Sequence, residues 1–106
     1  MLKIAVFVSG GGTDLQSVID AIEANQINGK IVLVISNRKD AYGLERAKKA
    51  GIETAVVKKN DELIVKMLKE REVDLVVLAG YLAILSDVLI DAYPNKIINI
   101  HPSLIP

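Results

Sequence analysis

Two short stretches of this sequence combine residue types that bind or transform small molecules. Near one end, Ser9 is followed by three consecutive glycines and Thr13; near the other, Asn99 and His101 flank one isoleucine. Glycines let the backbone approach a ligand closely, and free N–H groups at a helix start bind phosphate. An amide beside an imidazole can stabilise an oxyanion and exchange a proton near neutral pH. The first stretch therefore predicts an anion site and the second a site of acid–base chemistry.

The glycine run is expected to join the first strand to the first helix. The pattern Thr13-x-x-Gln16 fits a capping box, which predicts that the helix starts at Thr13. A phosphate held by backbone N–H groups is then the natural ligand. The alternative is a tight turn without a ligand, but one or two glycines would be enough for that.

A dinucleotide site is less well supported by the same residues. The pattern Gly10-x-Gly12 is followed by Leu15 where the dinucleotide fingerprint has its third glycine. The second apolar run ends in Ser36-Asn37-Arg38, so the acidic residue that would bind a ribose is absent from that place.

Asn99 and His101 are expected to act together. Residues two apart on a strand face the same side, and Pro102 favours an extended backbone at His101, which preserves this alignment. A single histidine taken alone is more often structural than catalytic. Its place beside Asn99 at the end of an apolar strand favours function.

Short apolar runs alternate with helical patterns along the chain. Five runs predict strands: Ile4–Val8, Ile31–Ile35, Thr54–Val57, Leu75–Ala79 and Ile97–Ile100. They are continuous rather than alternating, which is typical of a parallel sheet covered on both faces. The expected fold class is therefore α/β, a doubly wound, mostly parallel Rossmann-like sheet in a single domain. Ligands of such sheets bind at the carboxyl ends of the strands.

Four helices are expected between these strands. Apolar stripes at helical spacing indicate the first and third: Leu15, Val18, Ile19, Ile22, and Leu63, Ile64, Met67, Leu68. The second spans 41–50 and is stopped by Gly51, the third follows a cap at Asn60-Asp61, and the fourth runs from Ser86 to Pro94.

Composition limits the remaining possibilities. The 106 residues are 51% hydrophobic but only 4% aromatic, so the core is aliphatic. The formal net charge of zero gives no support to nucleic-acid binding. The sequence has no cysteine, which excludes disulfides and thiolate metal sites, and no apolar run approaches the about 18 residues of a membrane span. We expect a cytoplasmic protein without membrane contact.

Four segments, in the same order and over essentially the whole chain, resemble the glycinamide ribonucleotide formyltransferase family: 9–16, 36–37, 78–85 and 99–106. The last, Asn-Ile-His-Pro-Ser-Leu-Ile-Pro, is the most specific. The resemblance implies formyl transfer from 10-formyltetrahydrofolate to the amine of glycinamide ribonucleotide in purine synthesis, without a metal. It also implies site residues. These are Gly11, Gly12, Thr13 and Asp14 for the substrate phosphate, Leu82, Ala83, Ile84 and Leu85 for folate, Asn99 for the formyl region, and His101 as general acid.

The chain departs from the family pattern at several places. Asp14 stands where the family commonly has Asn, and a carboxylate repels phosphate, so we expect Asp14 to turn outward toward solvent. Ala83 stands where an Arg is usual. A second folate-contacting Arg is absent from the shortened stretch 57–60, where Lys58 or Lys59 is the nearest substitute. Without the resemblance, the stretch 81–85 would be interpreted as ordinary core at a strand–helix junction.

The family continues beyond the equivalent of Pro106 with more strands, the rest of the folate pocket and an aspartate that tunes the histidine. We therefore expect residues 1–106 to be the nucleotide-binding part of a formyltransferase whose C-terminal part is missing here. Three alternatives remain. Methionyl-tRNA formyltransferase has a different first loop, and formyltetrahydrofolate deformylase tends to have histidine in place of Pro102. The third is a nucleotide-binding module without catalysis.

Overall fold

Five strands form one sheet in the computed structural model, which describes residues 1–100. The strands are β1 (Leu2–Val8), β2 (Gly29–Ser36), β3 (Thr54–Val56), β4 (Leu75–Ala79) and β5 (Ile97–Ile100). The helices are α1 (Thr13–Glu23), α2 (Tyr42–Lys49), α3 (Asp61–Glu70) and α4 (Asp87–Ala92). All strand pairs are parallel and the order is β3-β2-β1-β4-β5. The predicted doubly wound α/β fold is confirmed.

The central strand β1 is buried on both faces of the sheet. Ile4, Val6 and Val8 contact a cluster that includes side chains of α1 and α2. Ala5 and Phe7 face the opposite cluster, to which α3 and α4 contribute. Both faces of the strand thus need apolar side chains, which explains why its sequence is a continuous apolar run.

Helix α1 starts at Thr13, as the sequence predicts, but its cap differs from the prediction. Gly12 occupies the N-cap position with φ +79°, and no side chain caps the helix. The predicted capping box between Thr13 and Gln16 is wrong. The Gln16 amide instead donates to Asp20 Oδ1 at 3.0 Å, so it does not reach back to the helix start.

The other helix ends agree better with the sequence. Asn60 Oδ1 accepts from Leu63 N at 3.1 Å and caps α3, and Gly51 follows α2 with φ +75°. Ser86 is the N-cap residue of α4 but makes no capping hydrogen bond. Leu63, predicted for the apolar stripe of α3, is exposed.

The strand order places a crevice beside β1. Strand β2, which follows β1 in sequence, lies on one side of β1, and β4 lies on the other side. Helix α1, which follows β1, packs on one face of the sheet, and helix α4, which follows β4, packs on the opposite face. Such a topological switch point is where open α/β sheets bind ligands. None of the helices in residues 1–100 is long and apolar enough to cross a membrane.

Candidate active site

A cleft of about 390 Å³ opens at this switch point. Its lining comes from two strand ends: Gly10, Gly11, Gly12, Thr13, Asp14, Ala79 and Gly80. We call residues 10–14 the glycine loop. The structure therefore brings together the glycine loop and the end of β4, which the sequence analysis singled out separately.

The carbonyl groups of the glycine loop are all engaged within the protein. Gly10 O accepts from Gly43 N at 2.9 Å, Gly11 O from Arg46 Nε at 2.8 Å, and Gly12 O from Gln16 N at 2.8 Å. Within residues 1–100, the N–H groups of Gly11, Gly12 and Thr13 have no hydrogen-bond acceptor. The loop thus offers donors rather than acceptors to a ligand, as an anion site requires.

Gly12 and Gly43 pack backbone against backbone. A Cβ on Gly12 would lie 2.5 Å from Gly43 Cα, and φ of Gly12 is +79°. A Cβ on Gly43 would lie 3.1 Å from Val8 Cγ2. The contact lets α2 approach the loop closely enough for Arg46 to reach Gly11 O. Gly43 and Arg46 are not among the residues predicted from the sequence, although their i, i+3 spacing on α2 indicates a shared face.

Asp14 does not turn outward, contrary to the sequence expectation. It lies in the first turn of α1, is half-buried and lines the cleft. Its Oδ2 atom is 3.9 Å from the position that a Cβ on Gly80 would take. The carboxylate therefore faces β4 at one wall of the cleft, where the positive end of the α1 dipole partly offsets its charge.

Ser9 connects three strand ends through one hydroxyl group. The residue is buried, its Oγ donates to Asn37 Oδ1 at 2.6 Å, and it accepts from Leu82 N at 2.8 Å. These contacts join the ends of β1 and β2 to the stretch after β4. This role of Ser9 does not follow from the sequence, because it depends on which strands are neighbours.

A second cleft, of about 320 Å³, lies beside the stretch that follows β4. Its lining is mostly polar or cationic on one side and apolar on the other: Asn37, Lys58, Lys59, Asp61, Tyr81, Ala83 and Ile84. A further cleft of about 400 Å³ adjoins it through Asn37 and Lys58 and adds Arg38, Lys39, Asp40 and Val56. Arg38 is paired with Asp40 at 3.2 Å, so four cationic and two acidic side chains line this edge, next to the predicted folate segment.

We call residues 80–86 the β4–α4 segment. Tyr81 and Leu85 pack against the core, and the Tyr81 ring meets Phe7 edge-to-face at 5.2 Å. Burial, with a smaller contribution from Asp61, raises the pKa of the Tyr81 hydroxyl. Leu82 and Ile84 are 80% and 95% exposed. The interpretation as ordinary core is thus right for Tyr81 and Leu85 and wrong for the other two.

Asn99 lies on β5 beside Leu78 of β4, close to the carboxyl edge, and is exposed. His101 lies outside the described residues, so its alignment with Asn99 stays a prediction. In residues 1–100, no group of three or more His, Asp or Glu side chains is arranged to hold a metal ion.

Comparison with known proteins connects this arrangement to a family. The chain is 50% identical, over its whole length, to the phosphoribosylglycinamide formyltransferase of Haemophilus influenzae, of which it covers 54%. It is 40% identical over 99% of its length to the Escherichia coli protein of that name, covering 53% of it. The chain thus spans about half the length of these curated relatives.

The fold supports the same relationship. A crystal structure of glycinamide ribonucleotide transformylase 1 from Symbiobacterium toebii superposes with a TM-score of 0.91 at 41% identity, over 100% of this chain and 54% of that one. The sequence pattern of the formyl transferase family matches residues 2–106. This chain therefore belongs to the formyl transferase family.

Proposed function

We propose that the full-length protein transfers a formyl group from 10-formyltetrahydrofolate to the amine of glycinamide ribonucleotide. The observation that carries this proposal is the glycine-loop cleft, whose free N–H groups suit a phosphate monoester at the switch point of the sheet. The family membership and the names of the most similar relatives support the reaction class.

Phosphate binding follows from the chemistry of the loop. Gly11, Gly12 and Thr13 present three successive N–H groups at the N-terminus of α1, where the helix dipole favours negative charge. Asp14 is the unfavourable element, because its carboxylate lies in the same cleft. Three backbone donors are present against this single charge, and a phosphate that binds closer to Gly11 would lie further from the Asp14 carboxylate.

Folate binding is proposed for the second cleft. Tyr81, Ala83 and Ile84 supply an apolar wall for a flat ring system, and Lys58 and Lys59 supply cations for carboxylates. The family resemblance also assigns three further residues to the folate and its formyl group: Leu82, Leu85 and Asn99. Lysine gives point charges rather than the planar fork of the family's arginine, so carboxylate recognition here is expected to be less geometrically strict.

The chemical step is proposed for the carboxyl end of β5. The substrate amine attacks the formyl carbon to give a tetrahedral intermediate, the bond from that carbon to N10 of the folate then breaks, and N10 gains a proton to balance the one that the amine loses. Asn99 donates a hydrogen bond to the tetrahedral oxyanion, and His101 acts as the protonated donor and general acid. Our proposal needs no metal ion for this step.

Calorimetry with the full-length protein tests the phosphate site. Glycinamide ribonucleotide should bind at least about tenfold more tightly than its dephosphorylated riboside, because charged hydrogen bonds are lost with the phosphate. Similar affinities for the two ligands would contradict the proposed function. Tight binding of an adenine nucleotide without folate binding would instead favour a nucleotide-binding module that has no catalysis.

Asp14→Asn refines this test. The substitution removes a like charge from the phosphate cleft and should keep or raise the affinity for the phosphorylated ligand. Glu23→Gln is the matched control, because it removes one negative charge from the exposed last turn of α1, away from the cleft. A large loss of affinity in Asp14→Asn alone would mean that the carboxylate itself contacts the substrate.

A further inference from the structure

In the described residues, Arg46 is the residue whose side chain hydrogen-bonds to the middle of the glycine loop. Its Nε donates to Gly11 O at 2.8 Å, and its Nη1 lies 3.5 Å from Gln16 Oε1. The stem passes close to the loop as well, since a Cβ on Gly12 would lie 3.1 Å from Arg46 Cδ. The residue is half-buried, and its guanidinium carbon lies 5.2 Å from the centre of the Tyr42 ring, which fixes its direction further.

Hydrogen bonds to carbonyl groups orient the neighbouring N–H groups. In a trans peptide, the C=O of one residue and the N–H of the next point in opposite directions. The structure contains no cis peptide bond within residues 1–100. The bond from Arg46 to Gly11 O therefore directs the N–H of Gly12 away from α2. In the same way, Gly43 N on Gly10 O directs the N–H of Gly11.

The side away from α2 is where β4 and the cleft lie. Helix α2 follows β2, on one side of β1, and Ala79 and Gly80 come from β4, on the other side. We propose that Arg46 is a positioning residue for phosphate: it turns the Gly11–Gly12 peptide so that the N–H of Gly12 faces the anion. This inference rests on the proposed function, because it assumes that the glycine-loop cleft holds a phosphate.

Two substitutions separate the hydrogen bond from the charge. Arg46→Met keeps the apolar stem but removes charge and donors, whereas Arg46→Lys keeps the charge and places a methylene where Nε stands. Both should weaken binding of the phosphorylated substrate roughly tenfold, raise its KM, and leave kcat and the affinity for the dephosphorylated riboside unchanged. Lys48→Gln is the control, because it removes one positive charge from α2 at an exposed residue whose ion pair is with Glu45 and not with the loop or Tyr42.

The outcomes are distinguishable. Wild-type affinity in Arg46→Lys would show that only charge matters and would overturn the proposal, as would wild-type affinity in Arg46→Met. If the unsubstituted protein does not prefer the phosphorylated ligand, the proposed function fails instead. Thermal unfolding identifies a variant that does not fold, in which case the other variant decides.

Amide NMR during titration with inorganic phosphate gives a local readout. In the unsubstituted protein, the amide signals of Gly11 and Gly12 should both shift. In Arg46→Lys the Gly12 response should be reduced while the Gly11 response persists, because Gly43 holds the Gly10–Gly11 peptide independently. A parallel loss at both glycines would indicate general loosening of the loop and would contradict a specific role for Arg46.

Discussion

The glycine loop and the β4–α4 segment lie at the same edge of the sheet, but the protein holds them in different ways. Each glycine carbonyl of the loop has a donor, and Gly12 touches α2 backbone to backbone. The β4–α4 segment is joined to its surroundings by Leu82 N on Ser9 Oγ and by Ser86 N on Asp61 Oδ2, and Ile84 is 95% exposed.

This difference separates two ways of making a binding site. The loop presents main-chain N–H groups that the fold orients before any ligand arrives, so its selectivity is for anions in general. The β4–α4 segment presents apolar side chains to solvent, so its selectivity depends on what those side chains are. Substitutions should therefore damage the first region through the backbone and the second through the loss of side-chain contacts.

The largest effect is expected in neither region but at the end of β5. In the full-length protein, Asn99→Ala and His101→Ala should each lower turnover about a hundred- to thousandfold, as expected when a donor to an oxyanion is lost. Phosphate-substrate affinity should hardly change, because the glycine loop is intact. The double variant should cost less than the sum of the two, since both groups act on one charge.

The pH profile separates the two roles in that prediction. If a protonated His101 is the donor, turnover should fall as pH rises through the range in which histidine titrates, and Asn99→Ala should keep this fall. The fall should be missing in His101→Ala. Either single variant with unchanged turnover would make that residue structural.

Gly12→Ala tests how far the loop depends on its backbone. A methyl group there must adopt positive φ and collide with Gly43 Cα, which should lower the free energy of unfolding by at least about 2 kcal/mol and weaken phosphate binding. Gly10→Ala is the matched control, because a Cβ at Gly10 meets no atom within 4 Å. Denaturant unfolding and calorimetry measure both effects. Equal free energies of unfolding and equal phosphate affinities in the two variants would mean that the Gly12–Gly43 contact does not shape the loop.

Ser9→Ala is expected to loosen the connection between the two regions. It removes the donor to Asn37 Oδ1 and the acceptor of Leu82 N, so the free energy of unfolding should fall by about 1–2 kcal/mol. Hydrogen exchange at Leu82 should accelerate more than at Gly12. Ser17→Ala, on the exposed face of α1, should change neither quantity by a measurable amount.

The smallest effect is expected for Ile84→Ala. Because the side chain is almost fully exposed, the free energy of unfolding should change by less than about 0.5 kcal/mol. If the side chain covers the folate, the free energy of folate binding should weaken by about 1 kcal/mol, roughly fivefold in Kd. Val88→Ala, exposed on α4 and outside the clefts, should leave folate binding unchanged. Equal folate affinity in both variants would remove Ile84 from the site.

The sequence predicts the fold well because its signals are local. Burial of β1 on two faces requires the apolar run 4–8, and the strand bounds 75–79 and 97–100 agree with the structure. The capping box fails because Gly12, not Thr13, is the N-cap residue, and the Gln16 amide donates to Asp20, one turn further along α1. Sequence spacing does not reveal this competition.

The candidate site is predicted only in part, because its supports are non-local. Spacing identifies the glycines and Asn99 as chemically suitable residues. The roles of Ser9 and Arg46 depend instead on contacts with residues 28 to 73 positions away in the chain, which exist only once the strand order is known. The expectation that Asp14 turns outward is wrong for the same reason, since the end of β4 forms the wall that Asp14 faces.

The hydrogen bond from Gly43 N to Gly10 O has a consequence for how the loop can be followed in solution. This amide belongs to α2, yet its acceptor is in the glycine loop, so it can exchange with solvent only when the helix and the loop separate. Its exchange rate therefore reports the free energy of that local opening, without any ligand present. The exchange rate of this one backbone amide thus measures how rigid the anion site is before a ligand binds.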